Sequence, residues 1–216
     1  MHPPEALLSD EFDPGFRTSL EALIRLRRDV RHFRTDTVPQ ATLTRLFNLA
    51  GLAPSVGLSQ PWRFVLVEDA ARRAAIRANF TQANAAALAQ QSAARAGLYA
   101  RLKLAGLDQA PVQFALFCDP DPEQGGGLGR RTMPQTLAYS CVMALHTLWL
   151  AARAEGLGLG WVSILDPSGM AALLDVPHAW QFIGHFCLGH PATHDSVPEL
   201  EREGWETRRA VQVLTR

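Results

Sequence analysis

Arg27-Arg28-Asp29-Val30-Arg31 is the stretch on which the reading of this chain turns. It sets one carboxylate among three guanidinium groups, where an amphipathic helical pattern runs out. Guanidinium forks are planar, permanently charged and able to grip two oxygens of a phosphate at once. An acid placed among them is favoured in its ionised form. The stretch therefore reads as an anion grip with a base built into it. A solvated helix end rich in charge looks the same, so these five residues alone leave both readings open.

The composition limits what the grip can serve. A chain of 216 residues suffices for one substantial core and need not hold a second domain. Its 47% hydrophobic and 19% charged residues are those of an ordinary globular protein. Lys plus Arg and Asp plus Glu are both 21, so the bulk positive charge of a nucleic-acid binder is missing. What matters is where the arginines sit. Cys118, Cys141 and Cys187 each lie in an apolar run, without a CxxC pair. An odd number of cysteines without that pair argues against a disulfide framework and a zinc knuckle, and suggests buried thiols in a reducing cytoplasm. The first sixteen residues hold acids and prolines but no apolar core of a signal peptide. Leu137 to Ala152 is too short and too interrupted, by His146 and then Arg153, to span a membrane.

Outward from the arginines, residues 1–16 read as a flexible lead-in and 17–216 as one domain. Thr18 and Glu21 form a capping-box pattern that opens a helix through Leu20, Leu23 and Ile24. Pro39 starts a second helix with Leu43, Leu46, Phe47 and Ala50 on one face, closed by Gly51. A Pro- and Gly-marked loop, Ala53 to Trp62, leads into a strand at Phe64 to Val67. The alanine-rich stretch to about Gly106 has few large core residues beyond Ile76, Phe80 and Tyr99, which predicts a helical flap over about 80–106. Val112 to Cys118 reads as a strand. Pro134 to Glu155 is a helix apolar nearly all round, which places it in the core or against a second subunit. Gly156 stops it. Strands at Trp161 to Leu165 and Phe182 to Leu188 follow, with a short helix capped by Asp166 between them and a charged tail after Glu199.

Other motifs carry little. Gly156, Gly158 and Gly160 follow a helix and precede a strand, the reverse of a dinucleotide loop, so a tight turn accounts for them. Gly125 to Arg130 lacks the Lys-Ser/Thr ending of a P-loop. The seven histidines show no metal spacing, since Pro191 separates His190 from His194. His185 reads as a core residue, and Trp62 and Trp161 as packing residues.

What remains is a combination. The arginine–aspartate stretch joins Ala53-Pro54-Ser55-Val56-Gly57, Gln60-Pro61-Trp62, Lys103-Leu104-x-Gly106, and Trp149 to Gly156 running into Gly160-Trp161-Val162-Ser163-Ile164. Over roughly Leu20 to Trp205 these residues resemble the nitroreductase-like FMN proteins, and within them the 5,6-dimethylbenzimidazole synthase branch. Ordinary nitroreductases commonly carry Arg-Arg-Ser at the first motif, where this chain has Arg27-Arg28-Asp29.

The resemblance implies an α+β fold, with a central mixed sheet flanked by helices, in a homodimer whose two flavin sites lie at the subunit interface. It implies an oxidoreductase for which reduced FMN is the substrate. With dioxygen as co-substrate and no metal, FMN is fragmented to 5,6-dimethylbenzimidazole and erythrose 4-phosphate for vitamin B12. A separate flavin reductase would supply the reduced FMN. Asp29 and Ser163 match the residues associated with destroying the flavin. Arg27, Arg28, Val30 and Arg31 fall on its phosphate and ribityl contacts, Ser55 and Leu104 on its lining, and Arg208 is a candidate from the tail. The rivals are an NAD(P)H-dependent FMN nitroreductase or quinone reductase, and a flavin carrier or sensor.

Overall fold

The computed structural model describes residues 11–216. The elements are α1 (Pro14–Leu26), α2 (Gln40–Ala50), β1 (Trp62–Leu66), α3 (Ala70–Ala89), α4 (Ala93–Tyr99), β2 (Val112–Cys118), α5 (Thr136–Ala154), β3 (Gly158–Val162), α6 (Pro167–Leu173), β4 (Gln181–Gly189) and α7 (Glu199–Arg202). The strands lie in the order β1-β2-β4-β3, every neighbouring pair antiparallel. At the β3 edge Asp29 adds an isolated parallel bridge to Leu159, outside the four strands.

Alternation along β2 sets the layers. Phe114, Leu116 and Cys118 face one cluster with Leu46 of α2 and Cys141, Leu145 and Leu148 of α5. Ala115 and Phe117 face the other, with Ile76 of α3 and Met170 of α6. Helices therefore cover both faces of the sheet. Trp62 and Trp161 pack against the α5-side cluster, as expected. All three cysteines are buried free thiols. His185 is fully buried with Nε2 3.1 Å from Gln113 Oε1, and burial pushes its pKa down to about 3.

Several boundaries differ from the sequence reading: β1 runs from Trp62 to Leu66 rather than Phe64 to Val67, and β3 ends at Val162 rather than Leu165. Residues 1–10 of the expected lead-in lie outside the described residues, and Pro14 to Phe16 are already helical. Asp13, not Thr18, caps α1, its Oδ1 accepting from Phe16 N at 2.7 Å. Thr18 sits inside the helix and donates to Pro14 O. The third strand begins at Gly158, so Gly158 and Gly160 belong to it and only Gly156, at φ +73°, makes the turn. Gly156 closes α5 with Leu157 N donating to Ala152 O, a Schellman pattern.

Two helices remain incompletely covered within one chain. α1 buries none of its residues, and Phe16, Leu20 and Ile24 stand exposed. α5 buries Leu137, Cys141, Leu145 and Leu148 but leaves Tyr139, Val142 and Met143 in the open. Among the described residues no helix is long and apolar enough to cross a membrane.

Candidate active site

The missing side chains of Gly158 and Gly160 position the arginine–aspartate segment. A Cβ on Gly160 would collide with the carbonyl oxygen of Val30, and one on Gly158 would lie 2.6 Å from Val30 Cγ2. Bare backbone there lets residues 29–30 lie along the β3 edge, with Val30 N donating to Leu159 O at 3.0 Å. α1 delivers the segment, ending as Arg27 turns to an extended conformation at ψ 132°. Trp149 of α5 pins it from the side, Nε1 donating to Arg28 O at 3.0 Å.

Asp29 is held at both oxygens. Oδ1 accepts from Trp161 N at 2.8 Å, and Oδ2 accepts from Arg31 Nε and Nη2 at 3.2 and 3.0 Å. Its side chain keeps 34% of its surface open to solvent, so a ligand can reach it. The carboxyl nevertheless sits deep among protein atoms, and burial raises its pKa above the ordinary aspartate range. Arg31, the Trp161 N–H and Arg27 pull the other way without cancelling that effect. A carboxylate pushed toward neutrality yet left accessible is equipped to take a proton.

The arginines divide into tied and free. Arg31 also donates to Lys103 O at 2.9 Å, which draws Leu104 alongside the segment. Arg28 donates to Arg25 O and Arg27 O at 2.6 Å and to Ser196 O, while its buried Nε has no partner among the described residues. Burial first, and then Arg208, Arg27 and Arg153, hold the Arg28 pKa below its usual value. Arg27 lies over the Trp149 ring, 4.9 Å from its centroid.

Of the expected site residues, Arg27 to Arg31, Leu104 and Arg208 thus gather at one end of the β3 edge. Ser163 is exposed, one residue beyond the end of β3 rather than on it, and two residues after the Trp161 N–H that holds Asp29. Ser55 does not join them. It lies in the loop before β1, where the neighbouring Val56 N donates to Ser140 Oγ of α5 at 3.0 Å. There its Oγ accepts from Gln60 N at 3.1 Å. Sequence reasoning missed Arg153, whose charge acts on Arg28 from α5, and the role of Gly160. The helical spacing of Trp149 and Arg153 was the available signal for the former.

A nitroreductase family model matches residues 24–190, from the last turn of α1 to the end of β4. The chain belongs to the nitroreductase family. Among relatives of this nitroreductase-family chain, a 5,6-dimethylbenzimidazole synthase of Rhodospirillum rubrum is 58% identical over 95% of this chain and 97% of its own. A 5,6-dimethylbenzimidazole synthase of Rhodobacter capsulatus is 49% identical, covering 90% and 94%. An NADH dehydrogenase of Thermus thermophilus is 30% identical over 77% and 83%. In fold, oxidized iodotyrosine deiodinase bound to FMN and 3-iodo-L-tyrosine superposes with a TM-score of 0.71 at 22% identity, covering 91% of this chain and 97% of that one.

Proposed function

We propose that this chain is an oxidoreductase that fragments reduced FMN with dioxygen, releasing 5,6-dimethylbenzimidazole and erythrose 4-phosphate. The 58% identity over nearly the whole of both chains supports the reaction. One structural observation carries it: an accessible carboxylate with a raised pKa, Asp29, stands inside the arginine grip. The residues fit FMN, since Arg28 Nε is buried without a partner and Arg27 has no counter-ion among the described residues.

When bound, reduced FMN supplies the electrons for dioxygen and the carbon of the product. The protein supplies position and proton transfer. Arg27, Arg28, Arg31 and Arg208 hold the phosphate and ribityl end, beside the Val30 backbone. Asp29 accepts the proton of a ribityl hydroxyl next to the carbon–carbon bond that breaks. Ser163 hydrogen-bonds the ring system, with Ser55 and Leu104 lining it. The helices over 80–106 act as a flap that excludes water.

The working unit is a homodimer, because Ser55 and Asp29 lie at opposite sheet edges and the outer faces of α1 and α5 are apolar. A second copy covers those faces and completes each site. A separate flavin reductase delivers reduced FMN in the cytoplasm, a setting that suits three free thiols.

The test is to mix the purified protein with photoreduced FMN, admit air and follow the products by mass spectrometry. 5,6-Dimethylbenzimidazole and erythrose 4-phosphate should appear as FMN disappears. FMN recovered intact and oxidised, or steady turnover of NAD(P)H with FMN retained, would instead identify a conventional flavin reductase.

A further inference from the structure

We propose that Arg153 is a positioning residue for the flavin phosphate, reaching with Arg27 into one pocket at the C-terminal ends of α1 and α5. This rests on the flavin reading above and adds a residue to it. The pocket holds about 160 Å³ and is lined by Arg27, Arg28, Trp149, Arg153 and Gly158, with the turn around Asp195 as its far wall. Arg153 lies one helical turn beyond Trp149, so both project from the same side of α5. Arg27 lies across that tryptophan at 4.9 Å, which brings the two arginines to one cavity.

The pocket has too much positive charge for what surrounds it. Among the described residues, neither the Arg27 nor the Arg153 guanidinium has an ion pair or hydrogen bond. Asp195, the one acid on the lining, is engaged by Arg202 at 3.1 Å and by Thr193 Oγ1 at 3.2 Å. Arg28 Nε is buried there without a partner. The charges of Arg208, Arg27 and Arg153 all weigh on Arg28, so the four guanidinium groups share one field. Such convergence of forks from α1 and α5 suits an anion with several oxygens, a phosphate monoester above all. Asp29 lines the neighbouring pocket, which shares Arg28, Val30, Thr193 and Asp195 with this one.

The test compares FMN with riboflavin, which lacks only the phosphate. Affinities of the oxidised flavins are read by fluorescence quenching for wild type, Arg153→Met and Arg153→Lys, with thermal melting as a folding control. Arg153→Met should weaken FMN roughly 10- to 100-fold, the worth of one charge-assisted hydrogen bond, and leave riboflavin unchanged. Arg153→Lys should recover most of the loss. Inorganic phosphate should compete with FMN in wild type and not with riboflavin.

A parallel loss of both flavins would make Arg153 merely structural and overturn the proposal, as would no loss of either. Weakened inorganic phosphate with an unchanged FMN-to-riboflavin ratio would mean that the pocket holds a free anion, also against the proposal. Wild-type protein binding neither flavin would remove the flavin reading itself, and this inference with it.

Discussion

Residues 27–31 and the Ser55–Gln60 loop, the two stretches proposed to meet the flavin, differ in how they are held. The first is fastened by contacts from afar: Leu159 O on Val30 N, Trp161 N on Asp29, Trp149 on Arg28 O, and Lys103 O on Arg31. The second holds much of its own shape, through Leu58 N to Ser55 O, Ser59 N to Val56 O, and Gln60 N to Ser55 Oγ. It also keeps Leu58 and Gln60 in the left-handed region, at φ +54° and +44°. Such positions cost non-glycine residues on the order of 1 kcal/mol or more each. Ser59 Oγ is buried there without a partner among the described residues. The first stretch is thus charged and fastened from several elements; the second is strained and partly self-bonded, with outward ties from Val56 N to Ser140 Oγ and from Gln124 Nε2 to Leu58 O. The loop leads into β1 and Asp29 lies at the β3 edge, the two ends of the strand order.

The largest effect expected from breaking this arrangement is at the charged half. Asp29→Asn keeps the size of the side chain and removes the base. Fragmentation in a single turnover should fall by about 10²- to 10⁴-fold while FMN stays bound. Next comes the joining of the halves. Met143→Glu places a charge on the exposed face of α5, where Met143 is 46% exposed, so the single chain should still fold. Light scattering should then show monomers, and FMN binding should weaken at least about tenfold, as one half of each site is lost. Gly160→Ala forces the 29–30 backbone off the β3 edge, because its Cβ meets the Val30 carbonyl. Denaturant unfolding should show a loss of about 1–3 kcal/mol, the usual cost of overpacking. The smallest change is Ser55→Ala in the loop before β1. It removes the acceptor for Gln60 N and should cost about 1 kcal/mol by the same measurement.

These two halves were not equally legible in the sequence. The arginine–aspartate segment is continuous, so five neighbouring residues suffice to suggest an anion grip, although a solvated helix end has the same look. β2 was read with its observed bounds because its apolar run is bounded by Pro111 and Asp119. Gly158 and Gly160 were read as a turn, since bare positions in a strand signal a close approach only once the approaching chain is known. Thr18 was read as a cap although Asp13-Pro14 offered a better start one turn earlier. Arg153 went unassigned because its partners come from α1 and the 193–196 turn, far away in sequence.

Whether Asp29 takes the proton is read from single-turnover formation of 5,6-dimethylbenzimidazole against pH. Burial raises the Asp29 pKa, so the carboxyl is protonated and idle below that value and active above it. The account predicts a one-proton rise in rate with its midpoint above the ordinary aspartate value of about 3.9. Arg31→Gln should move that midpoint higher, because Arg31 lowers the pKa, and Asp29→Asn should abolish the rise. An unchanged acid limb in Asp29→Asn protein would contradict the account.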